Sequence, residues 1–338
     1  MFYYLYKIFI ISLLSTCILL LFQFTQLKQK LTKDNKKIIN KSQKSMYNAM
    51  FQLYIDNREK FYLKGRQYVM KRIGKNYDES HVITFQDKLN YLLIHESPED
   101  KTKIVDKIQL RNYSYDILGK DICPPILKIY NNAEEINLDE LPEKFVLKCN
   151  HGCAMNIFCE NKSTFNLSEA KRKLNFWMQI NYGFVTFEYQ YLNIKRKIFV
   201  EKFLDDDIIN YKFSCFNGEP KIIRVKGKIN GTNLYNVYYV NWTKANIELD
   251  KKTYFLTNRF KKPIHLQKMI KYAKLLSSEF GYSRVDFYEV QGVLYLSEIT
   301  FTPFNACMRY KKKEMAIYLG NLINISKIKE RKYSINKI

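Results

Sequence analysis

A predicted hairpin near the C-terminal end of the chain carries one acidic residue in each strand. The run SRVDFYEVQGVLYLSEITFTP, residues 283–303, reads as two short strands around a turn. Side chains alternate along a strand, and residues directly opposite each other share a face. With a two-residue turn at Gln291 and Gly292, Asp286 would lie opposite Ser297 and Glu298 would point to the other face. A three-residue loop or a glycine bulge would instead place Asp286 opposite Glu298.

We favour the register that brings the two acids together. Two opposed carboxylates repel unless a cation lies between them, and two carboxylates with phosphate oxygens form a ligand set that Mg²⁺ prefers. The alternative is a solvated hairpin face with incidental charges, because charged residues are mostly exposed. The hairpin therefore predicts either a magnesium site built on Asp286 and Glu298 or a plain polar surface.

The first residues of the chain form its most apolar segment. Residues 8–24, IFIISLLSTCILLLFQF, carry no charge, and about 20 apolar residues span a bilayer as a helix. A signal peptide is the alternative, but the segment is long and no small-residue cleavage site follows. Five lysines between residues 28 and 37 outnumber Lys7 and the amino terminus on the other side of the apolar segment. Because positive charge favours the cytoplasmic side of a membrane, we expect the rest of the chain in the cytoplasm. We expect a single-pass membrane protein with an anchor at 1–25 and a basic juxtamembrane linker at 26–45.

Composition excludes several classes of protein. A chain of 338 residues with 46% hydrophobic residues can bury a large core. The net charge of +23 is spread along the chain without a nucleic-acid-binding motif, so we expect no specific nucleic-acid partner, while an anionic membrane or polymer would suit the charge. Seven scattered cysteines argue against a disulfide framework, and the group at residues 149–159 lacks the paired spacing of a zinc site.

The order of predicted elements indicates an α+β fold. Residues 46–125 are predicted to be mostly helical, with apolar residues at helical spacing over 103–118 among others. Strand patterns follow at ILKIY, KFVLKCN, NIFCE, KIFVEKFL, YKFSCF and PKIIRVKG, the last two joined by an Asn-Gly turn. A helix capped by Ser168 and another starting at Pro263 lie among them. We expect a second region at 126–325 and a basic tail at 326–338.

Seven runs between residues 82 and 306 together resemble one family. They are FQDKLNYL, VDKIQLRNY, ICPPILKIYNNAEEI, LPEKFVLKCNHG, KIFVEKFL, YKFSCFNGEPK and RVDFYEVQGVLYLSEITFTP. In this order they are similar to the ATP-grasp ligases, and within them to the TupA-like branch associated with teichuronopeptide and other cell-surface polymer synthesis. The resemblance implies an ATP-grasp fold in which two α+β lobes hold the nucleotide. Mg-ATP would activate a carboxylate as an acyl phosphate, which an amine then attacks.

The resemblance assigns the phosphate contacts to two lysines and a loop. Lys107 and Lys148 would place their ammonium groups on the phosphates, because a compact point charge suits phosphate oxygens. Gly152, in the loop NHGCAMN, would let the backbone approach closely. Where the family commonly has HGSG, this chain has Cys153 and Ala154. The loop thus lacks one glycine and one hydroxyl. His151 lies in the same loop and could contact substrate or phosphate, but a lone histidine is more often structural than catalytic.

The resemblance also implies an adenosine site at the run VEKFL. Glu201 would bind the exocyclic amine, and Phe203 would supply backbone contacts. Asp206 or Asp207 would bind the ribose hydroxyls, and the sequence does not decide between them. The simpler interpretation is an ordinary strand that ends in an acidic loop.

The hairpin acquires a specific role in this family. Asp286 and Glu298 would hold Mg²⁺ against the phosphates, and Arg284 would stabilise the transferring phosphoryl group. Thr300 stands where many ATP-grasp enzymes have a metal-binding Asn. Loss of either acid should abolish turnover and leave the fold nearly intact.

Three functions remain open at this point. The first is a membrane-anchored, Mg-ATP-dependent carboxylate-amine ligase that acts on a small molecule or on a glycan or peptide-polymer precursor. The second is a kinase on the same scaffold, which would leave phosphate on a hydroxyl. The third is a non-enzymatic basic module that binds an anionic polymer at the membrane. Two acids within a basic cleft favour the two ATP-dependent functions over the binding module.

Overall fold

Two antiparallel-rich sheets form the framework of the chain. The computed structural model describes residues 52–229, 232–247, 255–257 and 260–328. Its strands are β1 (Ile126–Tyr130), β2 (Phe145–Cys149), β3 (Asn156–Cys159), β4 (Ile198–Lys202), β5 (Asn210–Phe216), β6 (Glu219–Ile229), β7 (Thr232–Tyr239), β8 (Phe255–Leu256), β9 (Tyr282–Val290) and β10 (Val293–Thr300). The predicted strand patterns are confirmed. The α-helices of the described residues are α1 (Arg58–Arg72), α2 (Phe85–His95), α3 (Pro98–Val105), α4 (Leu110–Leu118), α5 (Leu167–Met178), α6 (Tyr182–Thr186), α7 (Leu266–Ser277) and α8 (Lys313–Asn321).

The smaller sheet has four strands in the order β1-β4-β2-β3, all antiparallel. Alternate residues of β2, such as Phe145 and Leu147, pack in one core with Ala170 and Leu174 of α5. Because side chains alternate, Val146 and Lys148 point to the opposite face, away from α5. This second face lies open to a cleft.

The larger sheet has six strands in the order β10-β9-β5-β6-β7-β8, and β8 alone pairs in parallel. One face is apolar and packs on α7, where Met269 and Leu276 join Phe213 of β5 and Val285 of β9 in the main core. The other face carries polar and charged residues in its middle. The turn between β5 and β6 is formed by Asn217 and Gly218 with φ 47° and 82°, as predicted.

The helical pattern over 103–118 is interrupted in the structure. Helix α3 ends at Val105 and α4 begins at Leu110. The carboxylate of Asp106 accepts the backbone N–H of Ile108 at 2.9 Å, which offers the backbone an alternative to the helical hydrogen bonds. The region is mostly helical, as predicted, but its helical spacing runs through a break between two helices. The break places Lys107 in the turn between the two helices.

Two helix starts also differ from the sequence-based expectation. Asn166, not Ser168, caps α5 by accepting the backbone N–H of Glu169 at 2.9 Å. Helix α7 begins at Leu266 rather than at Pro263. In both cases several residues near the boundary could start a helix, so the sequence pattern does not fix the first residue.

The predicted membrane span lies outside the described residues. The same is true of the anchor at 1–25, the linker at 26–45 and most of the tail at 326–338. Within the described residues, no helix combines the length and apolar character that crossing a bilayer requires. The anchor therefore stays a prediction of the sequence.

Candidate functional site

The hairpin β9–β10 places its two acids side by side. Asp286 is opposite Glu298 in the register, as we predicted. The cause differs from our expectation, because the turn has only two residues, Gln291 and Gly292, with φ 50° and 74°. A β-bulge between Leu296 and Glu298 shifts the register by one residue. The bulge turns Glu298 onto the face that Asp286 occupies.

A row of charges crosses the middle of the larger sheet on this face. Lys212 of β5 is the direct neighbour of Asp286 on β9. Its ammonium forms an ion pair with the Asp286 carboxylate and lies 3.8 Å from Glu298 Oε1. Arg284 binds both oxygens of Asp286, at 2.7 Å each, and also Glu298 Oε1 at 2.7 Å. Two cations thus neutralise two carboxylates.

Burial makes this row electrostatically strong. Asp286 is fully buried, and a buried carboxylate is stable only when it is paired and hydrogen-bonded. Burial raises the pKa of Glu298, but Lys212 and Arg284 outweigh it and hold that pKa well below its usual range. Burial lowers the pKa of Lys212, and the nearby Asp286 offsets this only in part. Glu298 is therefore an anion at neutral pH.

The face bearing this row and the open face of the smaller sheet line one cleft of about 330 Å³. The cleft brings together most of the residues that the sequence selected. Its lining includes Lys107, Lys148, Glu201, Phe203, Asp206 and Glu298. Pockets of this size bind small ligands.

Lys148 and Glu201 lie on the neighbouring strands β2 and β4 of the smaller sheet. They form an ion pair, and their side chains are 19% and 14% exposed. Each therefore has a partner that a bound anion or a polar ligand would have to replace. Phe203 packs its ring edge-on against Phe158 at 6.5 Å, so its ring as well as its backbone belongs to the cleft.

The acidic loop after β4 separates its aspartates. Asp205 and Asp206 line the cleft, and Asp207 does not belong to that lining. Asp206 lies at the rim, 3.4 Å from the ammonium of Lys144. Of the two aspartates that the sequence left open, Asp206 is the one beside the cleft.

The loop after β2 is tied to the turn between α3 and α4. The side-chain amide of Asn150 donates to Asp106 Oδ1 at 3.0 Å, and the Lys107 backbone N–H donates to the Asn150 carbonyl at 3.3 Å. The Lys107 ammonium donates to the Gly152 carbonyl. Gly152 is needed for packing, because a Cβ there would lie 2.9 Å from atoms of Met155 and Tyr182.

Ala154 occupies a backbone conformation that suits glycine. Its φ is 57°, in the left-handed region that costs a residue with a Cβ about 1–2 kcal/mol. This is the position where the sequence pattern of similar loops has glycine. The substitution therefore stores backbone strain in the loop at the cleft.

His151 has a structural place rather than a chemical one. It is 1% exposed, and its Nε2 donates to the Trp177 carbonyl at 3.1 Å. Nδ1 has no hydrogen-bond partner. Burial lowers the pKa of His151 to about 4, so the ring is neutral at pH 7.

Sequence reasoning missed Lys212. Its signal was present in the run YKFSCF, where a lysine alternates with the core residues Tyr211 and Phe213 on a central strand. A lysine there must face a buried acid or a ligand.

The two acids suit a metal ion that brings its own further ligands. Within residues 52–229, 232–247, 255–257 and 260–328, no three His, Cys, Asp or Glu side chains gather as a metal site. Two carboxylates with phosphate oxygens and water form the oxygen set that Mg²⁺ takes with nucleotides. Asp286 and Glu298 fit that role and do not fit a metal site made of protein groups alone.

We predict that Ala154→Gly stabilises the protein by about 0.5–1 kcal/mol. Relief of the left-handed strain exceeds the extra chain entropy that glycine adds to the unfolded state, about 0.4–1 kcal/mol. Urea unfolding measures the difference. Ala170→Gly in α5 is the matched control and should be destabilising. A loss of stability in Ala154→Gly as large as in the control would contradict this account of the loop.

We predict that the free energy of unfolding decreases in acid because of His151. Its pKa is about 4 when folded and 6.5 ordinarily, so the unfolded chain binds the proton first as the pH falls. The stabilisation is complete above the unfolded pKa and is lost as the pH falls towards the folded one. Between about pH 7 and about pH 4.5 the wild type should lose roughly 2–3 kcal/mol more than His151→Gln. Urea unfolding at both pH values is the test, and equal losses would count against a buried neutral ring.

No curated protein matches the chain. Solved structures that it resembles include a D-alanine–D-alanine ligase from Bacillus anthracis complexed with ATP (15% identity, 67% of this chain, 64% of that chain, TM-score 0.38). Others are the ADP complex of an N5-carboxyaminoimidazole ribonucleotide synthetase (17%, 60%, 46%, TM-score 0.37) and an L-amino acid ligase from Bacillus licheniformis (14%, 60%, 41%, TM-score 0.36). The chain spans 41–64% of the length of these three proteins.

A family model gives the decisive match. The model described as TupA-like ATPgrasp matches residues 87–324, which is more than two-thirds of the chain. The matched region includes both sheets and every residue that we assigned to the cleft. The chain belongs to the TupA-like ATP-grasp family.

Proposed function

We propose that this protein is a Mg-ATP-dependent carboxylate-amine ligase. One observation carries the proposal: Glu298, paired with the buried Asp286, lines the same cleft as Lys107 and Lys148. Two acids for a metal ion and two lysines for phosphates are the groups that phosphoryl transfer from a nucleotide requires. Membership in an ATP-grasp family supports the same chemistry.

Each residue of the cleft has a task in the proposed reaction. Lys107 and Lys148 bind phosphate oxygens. To do so, Lys148 gives up its ion pair with Glu201. Glu201, Phe203 and Asp206 surround the nucleoside end of the cleft. These contacts orient the nucleotide, and orientation supplies much of the rate in phosphoryl transfer.

The acid row supplies charge where the phosphoryl group moves. Asp286 and Glu298 would hold Mg²⁺ together with the phosphates. The bound ion would supply positive charge against the terminal phosphates. Arg284 and Lys212, freed in part from the acids, then turn their donors towards the transferring group. The product of this first step is an acyl phosphate of the substrate carboxylate, and the attacking amine displaces inorganic phosphate from it.

The identity of the acceptor rests on family resemblance. That resemblance favours a precursor of a cell-surface polysaccharide or peptide polymer. A membrane anchor at 1–25, with the catalytic body in the cytoplasm, would place the enzyme beside such precursors.

The test is turnover with Mg-ATP and pooled cell-envelope precursors, using the intact chain in detergent. We expect ADP release that depends on the precursors, together with inorganic phosphate and a new amide. Glu298→Gln should lower ADP release at least about a hundredfold. It is the better variant, since removal of the buried Asp286 would leave Arg284 and Lys212 without their main partner and destabilise the fold. This revises our expectation that either acid could be lost with the fold intact.

Glu219→Gln is the matched control, because Glu219 lies on the same sheet and is paired with the exposed Lys274. It should keep normal ADP release. Equal ADP release in the wild type and Glu298→Gln would refute the proposed site. Phosphate that stays on the acceptor would identify a kinase instead.

A further inference from the structure

Arg224 extends the row of charges beyond the two acids. It lies on β6 directly opposite Lys212, which in turn is opposite Asp286 on β9. Residues paired in this way share one face of the sheet, so Arg224 faces the same side as Asp286 and Glu298. Strands are about 4.8 Å apart, which puts the Arg224 backbone about 10 Å from that of Asp286. Arg224 does not belong to the lining of the cleft described above.

The guanidinium of Arg224 is held in place but is not neutralised. Its carbon lies 5.2 Å from the centre of the Phe304 ring, a cation–π contact that uses none of the N–H donors in hydrogen bonds. Its Nε is buried without a hydrogen-bond partner. Among the described residues, no carboxylate forms an ion pair with Arg224. The nearby acids Asp286 and Glu298 pair with Arg284 and Lys212 instead.

Other cations lie close to Arg224. Burial and the neighbouring Arg284 lower the pKa of Arg224. Lys226, two residues further along β6, has its pKa lowered to about 8 by burial and by Arg224 and Arg284. Like charges this close disfavour each other's charged form, and a bound anion would offset that repulsion.

The ring that stacks on Arg224 is fixed by an unusual backbone. Phe304, Asn305 and Ala306 all have φ of 55°, and each left-handed residue costs about 1–2 kcal/mol. Arg66, fully buried, compensates by donating to Asn305 Oδ1 at 2.6 Å and to the Asn305 carbonyl at 2.8 Å. The Asn305 amide also donates to the Thr186 carbonyl at 2.8 Å. The backbone strain at residues 304–306 is thus offset by these hydrogen bonds, and the Phe304 ring lies against Arg224.

We propose that Arg224, backed by Phe304, binds a carboxylate of the substrate beside the acid row. A guanidinium with free N–H groups matches a carboxylate in a bidentate pair. The place is suitable, because Arg224 is adjacent to Lys212 and one strand further from Asp286, yet outside the cleft proposed to take the nucleotide. This assignment rests on the proposed ligase function, which requires a carboxylate substrate. Arg66 is then a positioning residue for the same site.

The experiment measures binding of a carboxylate probe without turnover. Fluorine NMR follows trifluoroacetate binding to the intact chain in the presence of Mg-ADP, with trifluoroethanol as the neutral probe. We expect trifluoroacetate to bind and trifluoroethanol not to bind. Arg224→Met should weaken trifluoroacetate binding about tenfold or more, and Arg224→Lys should weaken it less, because it keeps the charge and loses the paired N–H groups.

Arg172→Met is the matched control, since Arg172 lies on the outer surface of α5 and pairs with Glu169. It should leave both probes unaffected. If Arg224→Met does not fold, Arg224→Lys decides the question. The assignment is overturned if trifluoroacetate does not bind the wild type, or binds equally to the wild type and both Arg224 variants.

Mg-ADP affinity, measured by calorimetry on each variant, separates this site from the nucleotide site. Unchanged Mg-ADP affinity with lost trifluoroacetate binding supports a separate carboxylate site. Failure of the wild type to bind Mg-ADP, with trifluoroacetate binding intact, would refute the proposed nucleotide function and leave the carboxylate site standing.

Discussion

The pairing of buried Asp286 with Arg284 and Lys212 is the interaction on which the rest of the site depends. A carboxylate with no exposure to water is stable only with close partners. Three neighbouring strands supply the pairs: β5 carries Lys212, β9 carries Arg284 and Asp286, and β10 carries Glu298. The partners of Asp286 also reach Glu298, so one network sets the position of both acids. A metal ion bound by the acids would replace the two cations there and leave them free to contact phosphates.

The cleft is assembled by contacts between segments that are distant in sequence. Asn150, 1% exposed, joins the loop after β2 to Asp106 at the end of α3 and also accepts the backbone N–H of Lys197. These bonds fix the turn that carries Lys107. Lys107 and Lys148 therefore come from a turn between two helices and from a strand, and the acids come from the other sheet. A ligand that touches all of them must lie between the sheets.

Local patterns predicted the elements well, and the family resemblance selected most of the cleft. Strand alternation placed β1 to β6 and the hairpin, because each strand has one core face. The bulge beside Glu298 could not be read from alternation, since a single inserted residue has no signature in Leu296–Glu298 itself. The break before α4 was missed for a similar reason: Asp106 competes for the backbone N–H of Ile108 inside an otherwise regular helical pattern. The run YKFSCF marks Lys212 as unusual, but its partner Asp286 and the place of Arg224 one strand further follow only from the sheet order.

The central claim is that Asp286 and Glu298 hold a metal ion that the nucleotide brings. Calorimetric titration of ADP, with and without Mg²⁺, tests it most directly in the wild type and in Glu298→Gln. The account predicts that Mg²⁺ tightens ADP binding to the wild type and that this gain is largely lost in the variant, while metal-free ADP binding changes little. An equal gain from Mg²⁺ in both proteins would contradict it.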